Sequence, residues 1–477
     1  MASFKQRAAV RRGSGNSKAR SRPSGNRSLV WLLGFAIWVR IVFSTVDFDG
    51  LTSPSPVPGT PVALASLAPD PVGRAIKIIF ILVGALVILT HMVETRALLR
   101  RINRYFLLFL ALALGSVMWS FDPGATLARF VSFAATGLIC FAFCLVGWRR
   151  TRLQDVVRPV LTILLVGSLA YIVMEPRLAM DFDGAGYHGL SWQKNPFGEL
   201  CAFGTLFWMH GWIARESKIW KGILGAMLGW TCLWLSKSAT SLLATVFASF
   251  LMLFLLRSSP AIRRYTPYLV TIFGCLVIAY ALSILQLVPG LATVLLGPIT
   301  AITGKDMTFS NRSIIWDIIK EHAQLHPIFG TGYGAYWTGA VPTSPSFIFL
   351  SRMYFWPSEA HNGYLDVVND LGFVGLVLLL AYLMVYVKQS LQLFKTDRPQ
   401  GALYLALFFQ QAMTNLSESC WFSPMGILPV VMMTLATCTL ARALLDQQYS
   451  RLSQGSAVPQ GAAPPLLRPR TRMGAGG

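Results

Sequence analysis

Charge is scarce along these 477 residues and lopsided in sign: Asp, Glu, Lys and Arg make up 13%, with 20 acids against 41 bases. With 54% hydrophobic residues and a mean hydropathy of +0.55, the chain cannot cover its own surface in water, which argues against a soluble enzyme. Cysteine is sparse too. Cys140, Cys144, Cys201, Cys232, Cys275, Cys420 and Cys438 lie in or beside apolar runs with no C-x-x-C pair, so they support neither a disulfide framework nor a zinc site. Cys140 and Cys144 are one helical turn apart, but no nearby His or carboxylate completes a metal set. No fixed-period repeat is present.

What the chain does have is long apolar runs. About twelve approach the roughly 20 residues that cross a bilayer: 29–46, 74–94, 105–120, 124–147, 158–174, 197–213, 219–235, 239–256, 267–288, 367–387, 401–417 and 423–441. The fold expected is all-α: a polytopic membrane domain over 29–446 with about 12 transmembrane helices. It lies between a basic disordered tail at 1–28 and a second tail at 447–477, and a large outer loop over 289–366 carries short helices. Lys and Arg collect in alternate connections (Arg96/Arg100/Arg101/Arg104, Arg149/Arg150/Arg152/Arg158, Arg215/Lys218/Lys221) and in both tails, which predicts two cytoplasmic termini. The net charge of +21 is therefore mostly topogenic, and no nucleic-acid partner is expected.

The informative cations are those that topology does not ask for. Arg40, Arg74 and Lys77 could snorkel to an interface. Lys237 sits in a polar outer turn, Leu235-Ser236-Lys237-Ser238-Ala239-Thr240-Ser241, Lys194 and Arg312 are expected on the same face, and Arg129 falls in a span or on the outer side. In the outer loop, Ser310 to His322 has helical periodicity, with Ser310 or Asn311 a plausible N-cap and Arg312 pointing out of the first turn. A glycine-rich stretch follows, Pro327-Ile328-Phe329-Gly330-Thr331-Gly332-Tyr333-Gly334-Ala335-Tyr336-Trp337. Without a preceding strand or a following GK[ST] it is not a nucleotide loop. Glu359-Ala360-His361-Asn362-Gly363-Tyr364-Leu365-Asp366 then runs directly into an apolar span.

In order and spacing, N-R-S-x-x-W, P-x-x-G-x-G-x-G-x-x-W and H-N-G-Y-L-D-x-x-x-D-x-G-x-x-G-L resemble the O-antigen polymerase/ligase superfamily, with the closest likeness to exopolysaccharide polymerases of the ExoQ type. Trp119-Ser120-Phe121-Asp122-Pro123 with Arg129, and Lys194-Asn195-Pro196-Phe197-Gly198, resemble two further family segments, so the likeness covers roughly 75–440. Asn311 stands where the family usually has Gly, Asp370 where it has Glu, and Lys237 where ligase members carry Arg.

The resemblance implies polymerisation of undecaprenyl-diphosphate-linked oligosaccharide repeat units into exopolysaccharide at the periplasmic face of the inner membrane, without cofactor or metal. It implies catalytic roles for His361 and Arg312 and diphosphate contacts from Arg312, Lys237, Lys194 and Arg129. Sugar contacts would come from Asn362, Tyr333, Tyr336 and Trp337, and His361 in its neutral form would draw off the acceptor proton. Glu359 and Asp366 are alternative bases. Partners implied are the lipid-linked oligosaccharide, membrane lipid, and chain-length and export proteins. Three rivals remain at this point. One is a ligase moving glycan from the carrier to another acceptor, one a flippase for lipid-linked sugars, and one a structural partner in a secretion complex.

Overall fold

A computed structural model describes residues 27–52, 71–182, 184–284, 312–339, 342–354, 356–424 and 427–455. Most of both tails, the Pro-rich stretch 54–70, the start of the outer loop and the expected N-cap residues Ser310 and Asn311 lie outside them. Regular structure among the described residues is helical, apart from one isolated bridge between Met180 and Tyr187.

The described helices longer than one turn are α1 (Arg27–Phe43), α2 (Pro71–Thr90), α3 (Met92–Leu99), α4 (Arg104–Gly115), α5 (Pro123–Leu145), α6 (Arg152–Met174), α7 (Lys194–Ile213), α8 (Ile219–Ser236), α9 (Ala239–Arg257), α10 (Thr266–Ile284), α11 (Arg312–Leu325), α12 (Ile348–Met353), α13 (Gly363–Thr396), α14 (Arg398–Thr414) and α15 (Ile427–Gly455). The expectation of about twelve spans is overturned. Among the described residues, six helices are long and apolar enough to cross a membrane: α2, α5, α6, α9, α13 and α15. Several of the other runs fall short for identifiable reasons. α1 and α14 have 17 residues each and α4 has 12. α7 is diluted by Lys194, Asn195, Glu199 and His210, and α8 by Lys221 and three glycines. A sliding count of apolar residues does not see where a helix stops.

Capping explains several starts. Asp122 accepts from Ala125 N at 2.9 Å with Pro123 at the first helical position, so the S-F-D-P segment opens α5. The six spans differ in exposure. Of the most apolar window, 83% is buried in α15 but 17% in α2, which makes α15 central and α2 a lipid-facing wall laid against α5. The other main contacts pair α7 with α8, α9 with α14, and α13 with both α4 and α14.

α13 is broken at Gly372, whose φ of 64° and ψ of −165° are not helical. The break receives the main chain of Pro327 to Phe329: Phe373 N donates to Pro327 O at 2.8 Å and Val374 N to Ile328 O at 3.1 Å. A Cβ at Gly372 would collide with the Ile328 carbonyl, so this glycine serves both the turn and the close approach. Above the break sits a second, smaller core, in which Ile315, Trp316 and Ile319 of α11 meet Trp337, Phe349 and Trp356.

Candidate active site

The H-N-G corner is built residue by residue. His361 has φ +50°, a left-handed conformation uncommon for a non-glycine residue. Asn362 caps α13, its Oδ1 accepting from Tyr364 N at 3.1 Å and Leu365 N at 3.0 Å, while its Nδ2 donates to Leu416 O at 3.3 Å. Gly363 N donates to the carbonyls of Asn415 and Glu418, both at 3.1 Å, and a Cβ there would strike the Asn415 side chain. The corner is thus stapled to the turn after α14, where Asn415 Oδ1 accepts from Cys420 N at 2.9 Å and Trp421 N at 2.8 Å.

That turn delivers Glu418, which the sequence reading missed. Its Oε1 accepts from Arg312 Nη2 at 2.8 Å and from Asn195 Nδ2 at 2.9 Å, and its Oε2 lies 3.2 Å from His361 Nδ1. Arg312 Nη1 also donates to Ser417 O. Glu359 Oε1 is 3.1 Å from the same Nδ1. Three distant segments, carrying Asn195, Arg312 and His361, therefore converge on the Glu418 carboxylate. The available signal was an acid in the short polar connection Asn415-Leu416-Ser417-Glu418-Ser419 between two apolar runs, in a chain with few acids.

Electrostatics set the protonation. Burial disfavours the charged imidazole, but hydrogen bonds to Glu359 and Glu418 and the charge of both outweigh it, raising the His361 pKa to about 9. The neutral ring expected near pH 7 is therefore not the form these partners favour. Burial works against ionised Glu418 as well, yet Arg312 and His361 hold its pKa down to about 2. Glu359 moves upward, chiefly by burial, with His361 opposing and Glu418 adding repulsion.

The two carboxylates face a small cleft of about 40 Å³, shared with Asn195, Glu199 and Cys420, room for about one water-sized group. The ligand atoms of Glu359, His361 and Glu418 lie within 4.8 Å of one another, a spacing that could hold a metal ion. Arg312 competes for Glu418 there.

The other expected site residues divide. Lys237 caps α8 with φ +53°, exposed, its Nζ 4.8 Å from the Trp234 ring centre. Its turn reaches the site through Thr240, whose Oγ1 accepts from Ser417 Oγ at 2.7 Å. Lys194 starts α7 beside Asn195, and its Nζ lies 3.8 Å from Asp181 Oδ2. Arg129 is elsewhere, holding the glycine-rich loop by donating to Gly334 O and, at 2.6 Å, to Trp337 O.

That loop is a plug. Gly330, Gly332 and Gly334 have positive φ, and their main chain bonds to the first turns of α13: Gly332 N to Asp370 O at 2.9 Å, Gly334 N to Asp370 Oδ2 at 2.7 Å. Tyr333, Tyr336 and Trp337 are 2%, 0% and 2% exposed, so their faces are covered by protein and the sugar contact expected of them is not open in this conformation. Asn362 is likewise occupied as a cap. Asp366, the alternative base, accepts from Trp337 Nε1 at 2.8 Å and Ala360 N at 3.2 Å and is buried beneath them.

Comparison with known proteins adds two findings. Residues 201–380 match the O-antigen ligase family. The chain is also 26% identical over 317 residues to the exopolysaccharide production protein ExoQ of Rhizobium meliloti (strain 1021), covering 63% of this chain and 69% of that protein.

Proposed function

We propose that this chain, whose residues 201–380 match the O-antigen ligase family, transfers glycan from an undecaprenyl-diphosphate carrier to an acceptor hydroxyl at the periplasmic face of the inner membrane. The observation that carries the reading is the Arg312–Glu418–His361–Glu359 cluster, a fixed cation and a carboxylate-oriented imidazole on adjacent sides of one acid.

In this reading the acceptor oxygen forms a bond to the sugar C1 as the C1–O bond to the diphosphate breaks. The leaving diphosphate keeps the electron pair, and Arg312 aims positive charge at its oxygens, with Lys237, whose turn is tied to Ser417 through Thr240, as a second point charge. The hydroxyl proton passes to His361 Nε2. Nδ1 faces Glu359 and Glu418, which orient the ring and stabilise the imidazolium that forms, the division of labour of a carboxylate–imidazole pair in acyl transfer. Arg129 acts at a distance, by fixing the loop that buries Trp337 on Asp366.

Polymerisation of repeat units is the second reading, supported by the similarity to the Rhizobium exopolysaccharide production protein. It differs in acceptor and not in leaving group. The experiment is the glycan profile of a deletion strain complemented with wild type or His361→Ala, each checked for normal membrane level. Loss of transfer by about 10²–10⁴-fold is expected. Long glycan stranded on the carrier assigns the ligase reaction, and single carrier-linked units with no polymer assign the polymerase. Full product from the variant, or loss of carrier-linked glycan from the outer face, overturns both in favour of a structural or transport role.

A further inference from the structure

The two oxygens of Glu418 are used differently. Oε1 accepts from Arg312 Nη2 at 2.8 Å and Asn195 Nδ2 at 2.9 Å, whereas Oε2 turns to His361 Nδ1 at 3.2 Å. Glu359 Oε1 meets the same Nδ1 at 3.1 Å. One imidazole nitrogen and two carboxylate oxygens thus face one another, on the side of the ring away from Nε2. Zinc, with bonds of about 2.0–2.1 Å, sets tetrahedral ligands roughly 3.3 Å apart. The two separations at Nδ1 are already close to that, so little need move. Magnesium and calcium favour larger sets of oxygens, and a mixed nitrogen and oxygen set suits zinc better.

The neighbouring cleft offers what a three-ligand zinc site lacks. Its volume of about 40 Å³ has room for one water, the common fourth ligand, and Glu359 and Glu418 both line it. Ser191 lines it as well. Its Oγ is fully buried with no hydrogen-bond partner among the described residues, an unsatisfied hydroxyl able to hold a metal-bound water. Cys420 is the softer ligand in the cleft, but its Sγ is engaged with Glu199 Oε1 at 2.6 Å. An ion can reach the site from outside, since the His361 side chain is 22% exposed.

We propose that Glu359 Oε1, His361 Nδ1 and Glu418 Oε2 form a zinc site that inhibits transfer and does not serve it as a cofactor. The inhibition rests on the transfer reading above. Zinc takes the Nδ1 lone pair and releases the proton held there, and the neutral ring keeps its remaining proton on Nε2. Nε2 then has no lone pair for the proton of the acceptor hydroxyl, and the two carboxylates, committed to the metal, no longer stabilise an imidazolium. Arg312 keeps its place on Oε1, so the donor still binds while its sugar is not passed on.

The test adds Zn²⁺ to the purified full chain and measures binding by competition with a chromophoric chelator. One ion per chain is expected, with Glu359→Gln and His361→Gln each weakening it about tenfold or more and the double variant His322→Gln/His326→Gln leaving it unchanged. Wild-type affinity in both Glu359→Gln and His361→Gln overturns the site; loss of the ion in the double variant does so too, by assigning it to that i, i+4 histidine pair. X-ray absorption of the zinc-loaded wild type depends on no variant folding. It should show nitrogen and oxygen at about 2.0–2.1 Å, and sulfur at about 2.3 Å would move the metal to a cysteine. Transfer by the wild type should fall about tenfold or more at saturating Zn²⁺, through kcat and not through the KM for donor, and return on chelation. Undiminished transfer at saturating Zn²⁺ overturns the inhibition, and equal inhibition by Mg²⁺ overturns the choice of metal. Failure of the transfer reading shows separately, as full transfer in His361→Ala while the wild type still binds zinc.

Discussion

Among the described residues an Arg–Glu–His cluster lies at each end of α7, and the two set the same side chains in different surroundings. Near the end of α7, Glu216 takes Arg158 Nη2 at 2.8 Å and lies 3.4 Å from His210 Nδ1. Near its start, Glu418 takes Arg312 Nη2 at 2.8 Å and lies 3.2 Å from His361 Nδ1. In the first cluster the outward atoms are also engaged: His210 Nε2 with Pro399 O at 2.8 Å, Arg158 Nε with Phe207 O at 3.0 Å, and Glu216 Oε1 with Gln400 Nε2 at 3.0 Å. His210 is fully buried, whereas the His361 side chain is 22% exposed and the Arg312 side chain 20%. The second cluster also has an extra acid, Glu359, and two supporting residues at positive φ, His361 itself and Lys237. A closed network ties α6, α7 and α14 together. The open one, with a surplus carboxylate and a left-handed corner, has the features the proposed transfer site requires.

Removing the central acid from each cluster should separate the two roles most sharply. Glu216→Ala leaves a buried arginine unpaired and is expected to cost about 3–5 kcal/mol of stability, read as the unfolding temperature of the purified protein, with transfer per folded molecule kept. Glu418→Ala should cost less stability, because Arg312 reaches water, while lowering transfer about 10²-fold or more. Equal losses of both properties in both variants would erase the distinction.

The pH profile sharpens it next. His361 is protonated below its raised pKa of about 9, and only the neutral ring accepts a proton. The single-turnover rate is therefore expected to climb about tenfold per pH unit from 6 to 8 and to level near 9. A profile flat across 6–8 would instead make His361 a fixed cation beside Arg312. The smallest effect belongs to Lys237→Gln. As an exposed point charge it should change the KM for donor by about two- to fivefold, and the change should shrink in high salt.

The open cluster was half legible in the sequence. His361 and Arg312 stand in motifs whose spacing is constrained by local structure: an N-cap at Asn362, a close approach at Gly363, and a helix starting at Arg312. Glu418 carries no such local mark, because its role depends on α14 ending beside α13, a tertiary fact. The glycine-rich loop shows the converse. Its pattern was plain, but whether Tyr333 and Trp337 face sugar or core depends on Gly372 breaking α13 so that the loop can dock. The helical class was readable from apolar runs alone. The number of spans was not, since composition does not record where α1, α4 and α14 end or how polar residues thin α7.

The turn after α14 also sets a timetable. Synthesis proceeds from the N-terminus, and Asn195, Arg312 and His361 are all made before Glu418, the group that joins them. A nascent chain halted short of α14 has its arginine and histidine without the anchor between them. On the transfer reading proposed above, competence is thus withheld until α14 and the turn after it have been made, and a polypeptide interrupted earlier lacks the assembled cluster.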